Sequence, residues 1–172
     1  MARSFGVVLA AVLLTRVAQA QEAPGGGDTP GAGALGLRVG FGGNPSLIYP
    51  VAITAPTVGV KYFISDDLAF NGDVGFAVNN NGFGVGAGAG LDYYLITGNM
   101  RPFLTGTVGF GKDVGAGYNL GFQVGAGLEY FFNRHFSVNA RVLIPFVLSN
   151  IDTDVVFSMM LFTPGAGLTL YY

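Results

Sequence analysis

His135 and Ser137, two residues apart, are by type the best candidates for nucleophilic catalysis in this 172-residue chain. A serine hydroxyl attacks only with a base beside it, a group to orient that base and a site open to substrate. On a strand the two side chains would share a face. His135 is the only histidine, however, and it falls in a tight-turn pattern, Asn133-Arg134-His135, so a turn histidine is expected. Asp152-Thr153-Asp154 offers two carboxylates to a divalent cation, too few oxygens for calcium, and reads as a solvated loop. Gly82-x-Gly84-x-Gly86 has phosphate-loop spacing but lies inside a strand pattern with no helix after it. The absence of cysteine excludes disulfides, thiolate metal sites, a cysteine nucleophile and a lipidated N-terminal cysteine. No catalytic residue, no cofactor and no metal ligand is expected, and the chain is read as not an enzyme.

The remaining chemistry lies in six charges with a shared placement: Arg38, Lys61 and Arg141 against Asp73, Asp92 and Glu129. Each sits in a stretch where apolar residues alternate with glycine or polar ones. In residues 34–42, Leu35, Leu37, Val39 and Phe41 share one face, opposite Gly36, Arg38, Gly40 and Gly42. That is the period of a strand, not of a helix. The pattern recurs in residues 57–64, 68–78, 83–95, 101–110, 119–132, 136–146 and 162–172, most weakly in 101–110.

An internal repeat sets the strand count. Gly59-Val60-Lys61-Tyr62-Phe63, Gly90-Leu91-Asp92-Tyr93-Tyr94 and Gly127-Leu128-Glu129-Tyr130-Phe131 share a pattern, with a looser copy from Gly167 to Tyr172. The leading glycines are 31, 37 and 40 residues apart, room for a hairpin of two ten-residue strands with its turns. Four hairpins make eight strands. Residues 65–67, 96–100 and 133–135 read as tight turns, whereas 43–55, 112–118 and 148–155 read as longer loops and 79–82 as a short exception.

The two faces differ in bulk. Roughly forty medium and large apolar side chains cannot fit inside eight strands, whose interior barely holds small ones. The glycine face, with its charges, must therefore point inward and the apolar face outward, as in a barrel surrounded by lipid. The fold class expected is all-β: an eight-stranded antiparallel transmembrane β-barrel, an up-and-down meander. Tyr62, Tyr93, Tyr130 and Tyr172 form one interfacial girdle, and Phe41, Phe76, Phe83, Phe110 and Phe146 line the other. Arg141 is expected to pair with Glu129 or Asp92, since an unpaired buried carboxylate is costly. Glycines opposite Phe63, Tyr94, Phe103 and Phe131 suit rings packed over bare backbone.

Residues 1–20 read as a signal peptide: Arg3 opens it, an apolar core runs from Phe5 to Leu14, and Ala18-Gln19-Ala20 is a cleavage site. Arg16 stops the apolar run short of a membrane-spanning helix. Residues 21–33, rich in glycine and proline, read as a flexible leader, and the barrel occupies residues 34–172. With 8 basic against 10 acidic residues and no basic patch, nucleic acid is not an expected partner.

Gly125 to Tyr130 (Gly-Ala-Gly-Leu-Glu-Tyr), Arg101-Pro102-Phe103 opening a strand, and the alternating last strand ending in an aromatic residue carry a resemblance. In these the chain resembles the small eight-stranded outer-membrane barrels of the OmpA/OmpX type, over nearly the whole length after the signal. The resemblance implies residence in the cell outer membrane, reached through the periplasm, and contact with its lipid and lipopolysaccharide. It also implies recognition by the barrel-assembly machinery through Leu168, Leu170 and Tyr172 of the last strand, and a monomeric state. The function implied is a structural or surface-interaction role, with the lumen largely filled by side chains. A narrow small-solute or ion channel is the alternative. His135-x-Ser137 also resembles part of the pattern of outer-membrane lipid A deacylases, which makes a lipid-modifying enzyme the second alternative.

Overall fold

The computed structural model describes residues 29–42, 56–79, 82–113, 117–151 and 154–172. The expected signal segment, the leader as far as residue 28, the whole of the loop 43–55 and the pair Asp152-Thr153 lie outside the described residues. Alternating β-branched or aromatic residues with glycine gives the chain little reason to be anything but extended. The described residues form β1 (Leu35–Phe41), β2 (Pro56–Phe63), β3 (Leu68–Asn79), β4 (Gly82–Tyr94), β5 (Met100–Asp113), β6 (Gly117–Asn133), β7 (Phe136–Ile151), β8 (Asp154–Met159) and β9 (Thr163–Tyr171).

Each strand from β1 to β7 pairs antiparallel with the next, and β9 pairs with both β7 and β1, which closes the sheet. β8 and β9 are two parts of one eighth strand. Residues 146–151 of β7 pair with β8, and residues 136–143 pair with β9. Between the two parts, residues 160–162 stand against Ile144 and Pro145 alone, a bulge of three residues against two. Pro145 has no N–H for the ladder, and Phe162 takes a positive φ of 63° at the break.

The ladders also fix the size of the barrel. A circuit of paired residues from Val39 runs through Val58, Val74, Ala87, Phe110 and Leu120 to Leu148 on β7. Leu168 of β9, however, sets Val39 level with Val138. The circuit therefore returns ten residues out of step. For eight strands that stagger gives a tilt of about 40° and a backbone radius of about 8 Å.

The turns at one end match the expected tight ones: residues 64–67, 95–99 and 134–135. At the other end the strands run further than expected. β5 and β6 reach Asp113 and Gly117, and β7 and β8 reach Ile151 and Asp154. The connections expected as longer loops over 112–118 and 148–155 therefore shrink to three and two residues, because the ladder continues through them. Only the stretch between β1 and β2 remains long.

Along every strand the outward positions are apolar and exposed, among them Leu37, Val60, Phe70, Leu91, Leu104, Phe122, Val142 and Leu168. Tyr62, Tyr93, Tyr130 and Tyr172 stand outside at the tight-turn end. Phe41, Phe76, Phe83 and Phe110 are exposed near the other end, with Phe146 partly covered by stacking on Phe122, centroids 4.6 Å apart.

Candidate functional site

The lumen gathers the chemistry. Arg38, Lys61, Asp92, Glu129 and Arg141 are all buried and inward-facing, and Asp73, 14% exposed, stands beside Arg38. The alternation that identified these six from sequence is the pleat itself, which sends every second side chain into the barrel. The six do not form one network. They divide into two groups at successive levels, above a floor of aromatic rings.

The floor lies at the tight-turn end. Phe63, Tyr94, Phe103, Phe131 and Tyr171 pack ring against ring, with centroids 5.4 Å apart for Phe63–Tyr94, 5.6 Å for Tyr94–Phe103 and 6.0 Å for Phe131–Tyr171. Bare backbone makes the room. A Cβ on Gly127 would lie 2.8 Å from Cε1 of Phe103, and one on Gly36 would lie 2.8 Å from Cδ1 of Tyr171. Arg101, a fourth inward cation that the charge pattern did not single out, is buried with its guanidinium 4.8 Å from the Phe131 centroid. It donates to the carbonyls of Gly98 (2.9 Å) and Asp66 (3.2 Å) and to Oγ1 of Thr29 (2.6 Å). Its parity with Phe103 on the same strand was the available signal.

Thr29 belongs to the segment expected as leader, and residues 29–34 lie against this end of the barrel. The Gly33 amide donates to the Phe63 carbonyl at 2.8 Å, and the Ala32 amide donates to Oδ1 of Asp66 at 3.0 Å. Among the described residues, contacts with the barrel thus extend back to Thr29, within the segment expected as leader.

The first charged group rests on the rings. Glu129 receives four hydrogen bonds: from Lys61 Nζ and the Tyr94 hydroxyl to Oε2, both 2.5 Å, and from Ser137 Oγ (2.5 Å) and the Tyr171 hydroxyl (3.0 Å) to Oε1. Two donors per oxygen saturate a carboxylate, so Glu129 is a cross-brace rather than a free base. Lys61 also meets Asp92 at 3.0 Å, and its ammonium lies 5.2 Å from the Tyr94 centroid. One carboxylate thereby ties β6 to β2, β4, β7 and β9 across the lumen.

The second group is looser. Arg38 Nη1 lies 3.6 Å from Asp73 Oδ2 and donates to Asn71 Oδ1 at 3.4 Å. The expected pairing of Arg141 with Glu129 or Asp92 does not form: no carboxylate among the described residues lies within 4.0 Å of its guanidinium. The reason is level and competition. Lys61 occupies both carboxylates from nearer the floor, and Arg141 lies over Gly165, one rung further along β7 than Asn139.

The catalytic candidates separate. Ser137 is fully buried with its hydroxyl given to Glu129, whereas His135 is exposed on the turn, its Nδ1 3.2 Å from the Tyr171 carbonyl and its Nε2 3.0 Å from Arg134 Nε. Leu168 and Leu170 of the last strand point outward, and the Tyr172 amide donates to the Leu35 carbonyl at 2.9 Å, which seals the final strand to the first.

These features define a class: a closed, eight-stranded antiparallel barrel with an apolar exterior, a braced polar lumen and up-and-down meander topology. No protein-family model and no curated protein matches the chain. Among solved structures the barrel is similar to the N-terminal β-barrel domain of Pseudomonas aeruginosa OprF, with a TM-score of 0.56 and 15% identity, over 83% of this chain and 99% of that one. At that identity the likeness is one of fold.

Proposed function

We propose that this chain is an outer-membrane β-barrel protein with a structural or surface-interaction role, exported through the periplasm and set in outer-membrane lipid as a monomer. The observation that carries the reading is the division of faces. Leu35, Leu37, Val39 and Phe41 of β1 are all exposed while Arg38 between them is buried, and the other strands except β8 repeat the arrangement. In water that exterior would be a large aggregation liability; in hydrocarbon it is the favoured face. The strands are long enough. Thirteen residues of β4 extend about 43 Å, or about 33 Å along the normal at a tilt of about 40°, against an apolar band of about 25 Å.

The aromatic floor supports a filled lumen over the alternative of a narrow channel, since it closes the barrel at the end where the inward side chains are largest. The commitment of Ser137 to Glu129 counts against the lipid-modifying alternative. Lipid and lipopolysaccharide are the partners the outer face suits, with the barrel-assembly machinery during biogenesis.

Fractionation of expressing cells tests the reading. The protein should appear in the outer-membrane fraction, migrate faster in gels before boiling than after, and have the intact mass of a chain starting at Gln21. Recovery in the soluble fraction, or with Met1 to Ala20 retained, would overturn it.

A further inference from the structure

Among the outward positions of the described strands, Lys112 of β5 carries the one charge. It is exposed on the wall, and the outward positions around it are apolar or aromatic: Phe83 and Val85 of β4, Phe110 of β5, Tyr118 and Leu120 of β6. Its ammonium lies 5.2 Å from the Tyr118 centroid, and Tyr118 stacks on Phe110 with centroids 5.6 Å apart, so the rings hold the cation against the wall without neutralising it. No carboxylate among the described side chains pairs with it, and Asp113, the next residue, falls on the inward face.

The level of Lys112 is that of lipid headgroups. It stands twelve residues up β5 from Met100, which pairs with Tyr130 of the tyrosine girdle. At a tilt of about 40° that is about 31 Å along the normal, just past an apolar band of about 25 Å. Short turns face the periplasm in such barrels, so this rim meets the outer leaflet.

The wall below is grooved. Gly106 lies six residues down the same strand, and a Cβ there would meet nothing within 4 Å. Leu91, Val108, Phe122 and Val124 stand around it, with Ala89 beside it, in a shallow apolar groove. The groove is about 16 Å nearer the middle of the bilayer than Lys112, close to the depth of one leaflet, about 15 Å.

We infer that this wall binds one lipopolysaccharide molecule of the outer leaflet, with a lipid A phosphate on Lys112 and one acyl chain laid in the groove over Gly106. The inference rests on the outer-membrane reading above and adds a site to it. Lysine binds phosphate as a point charge, and a phosphate monoester, with up to two negative charges, is favoured over a phosphodiester with one.

Native mass spectrometry of the mature protein in a nonionic detergent tests this, with purified lipid A as the probe and gel mobility before boiling to establish a folded barrel in every sample. One lipid A should be retained per barrel. Retention should fall about fivefold for lipid A stripped of its phosphates, the scale of one lysine at an anionic lipid surface; this comparison needs no variant. Lys112→Gln should lower retention of intact lipid A equally and abolish the preference for phosphate. Gly106→Leu, which fills the groove, should weaken retention of both forms and keep the preference. Arg134→Gln on the tight-turn rim, and Ala166→Leu in the shallow groove beside Val39 and Leu168, should change neither. Equal retention of intact and stripped lipid A, equal retention of phosphatidylglycerol, or undiminished retention in Lys112→Gln or Gly106→Leu would overturn the inference. Such a result from a folded barrel leaves the outer-membrane reading standing, because fractionation decides that.

Discussion

Lys61 Nζ sits 2.5 Å from Oε2 of Glu129, joining β2 to β6 across the lumen although 68 residues of chain separate them. Neither residue touches the other's strand through the backbone: β2 pairs with β1 and β3, and β6 with β5 and β7. The contact therefore adds a constraint that the ladder does not supply, and it exists only once the barrel has closed.

Removing one member of that brace should be far worse than its net worth suggests. Lys61→Met leaves Asp92 and Glu129 facing each other with no cation between them, and is expected to cost about 3–5 kcal/mol. Arg141→Gln strands no carboxylate within ion-pair distance and should cost much less. Urea unfolding from lipid vesicles checks both, and equal losses would mean that water solvates the Glu129 level.

Gly127 shows how the rings fit. A Cβ there would meet the edge of Phe103 and the Ala140 carbonyl, 2.7 Å away, so Gly127→Ala should destabilise by about 1–3 kcal/mol. Shortening the ring with Phe103→Leu should recover part of that loss. The double variant is therefore expected to be more stable than the two single losses added together, which a double-mutant cycle measures directly. Strict additivity would place the strain in the backbone.

The last two residues act on different faces. Tyr171 is buried and donates to Glu129, whereas Tyr172 is exposed and its amide completes the ladder to Leu35. Tyr171→Phe keeps the ring and loses one donor, an expected cost of about 1 kcal/mol with normal assembly. Tyr172→Ala, and more so deletion of both residues, should lower the yield of heat-modifiable barrel, because an edge left open cannot rest in lipid. Full yield from the deletion would show that closure does not need them.

The barrel was legible because its signal is periodic. A glycine-apolar alternation repeated eight times leaves one face too bulky to be inside, and that alone placed Arg38, Lys61, Asp73, Asp92, Glu129 and Arg141 in the lumen. Partnership was not legible. Which cation meets Glu129 depends on the ten-residue stagger of the closed sheet, a quantity set by all eight ladders together and by no local stretch. Arg101 escaped notice because 101–110 alternates weakly: Pro102 and Gly106 stand at outward positions that elsewhere carry larger apolar residues. The loops expected over 112–118 and 148–155 were misjudged for a related reason. Gly117, Asn150 and Asp154 read as turn residues, yet pairing with the neighbouring strand holds all three in the ladder.

Closure of the lumen can be tested by conductance. With a backbone radius of about 8 Å, five rings and the Arg101 guanidinium in one layer leave little open section, and residues 29–34 lie beneath them. Reconstituted protein in a planar bilayer is therefore expected to show at most small, rare steps. The obstacle is apolar bulk, not charge, so Arg38→Gln or Lys61→Gln should change stability more than ion flow. Phe63→Ala combined with Phe131→Ala should have the opposite signature, because each removes a ring from the closing layer and leaves Glu129 with all four of its donors. Steps that grow in the double phenylalanine variant and not in the charge variants would place the barrier in the rings. Large, steady steps in the unaltered protein, with ion selectivity that shifts in the charge variants, would overturn the filled-lumen reading and make the barrel a channel.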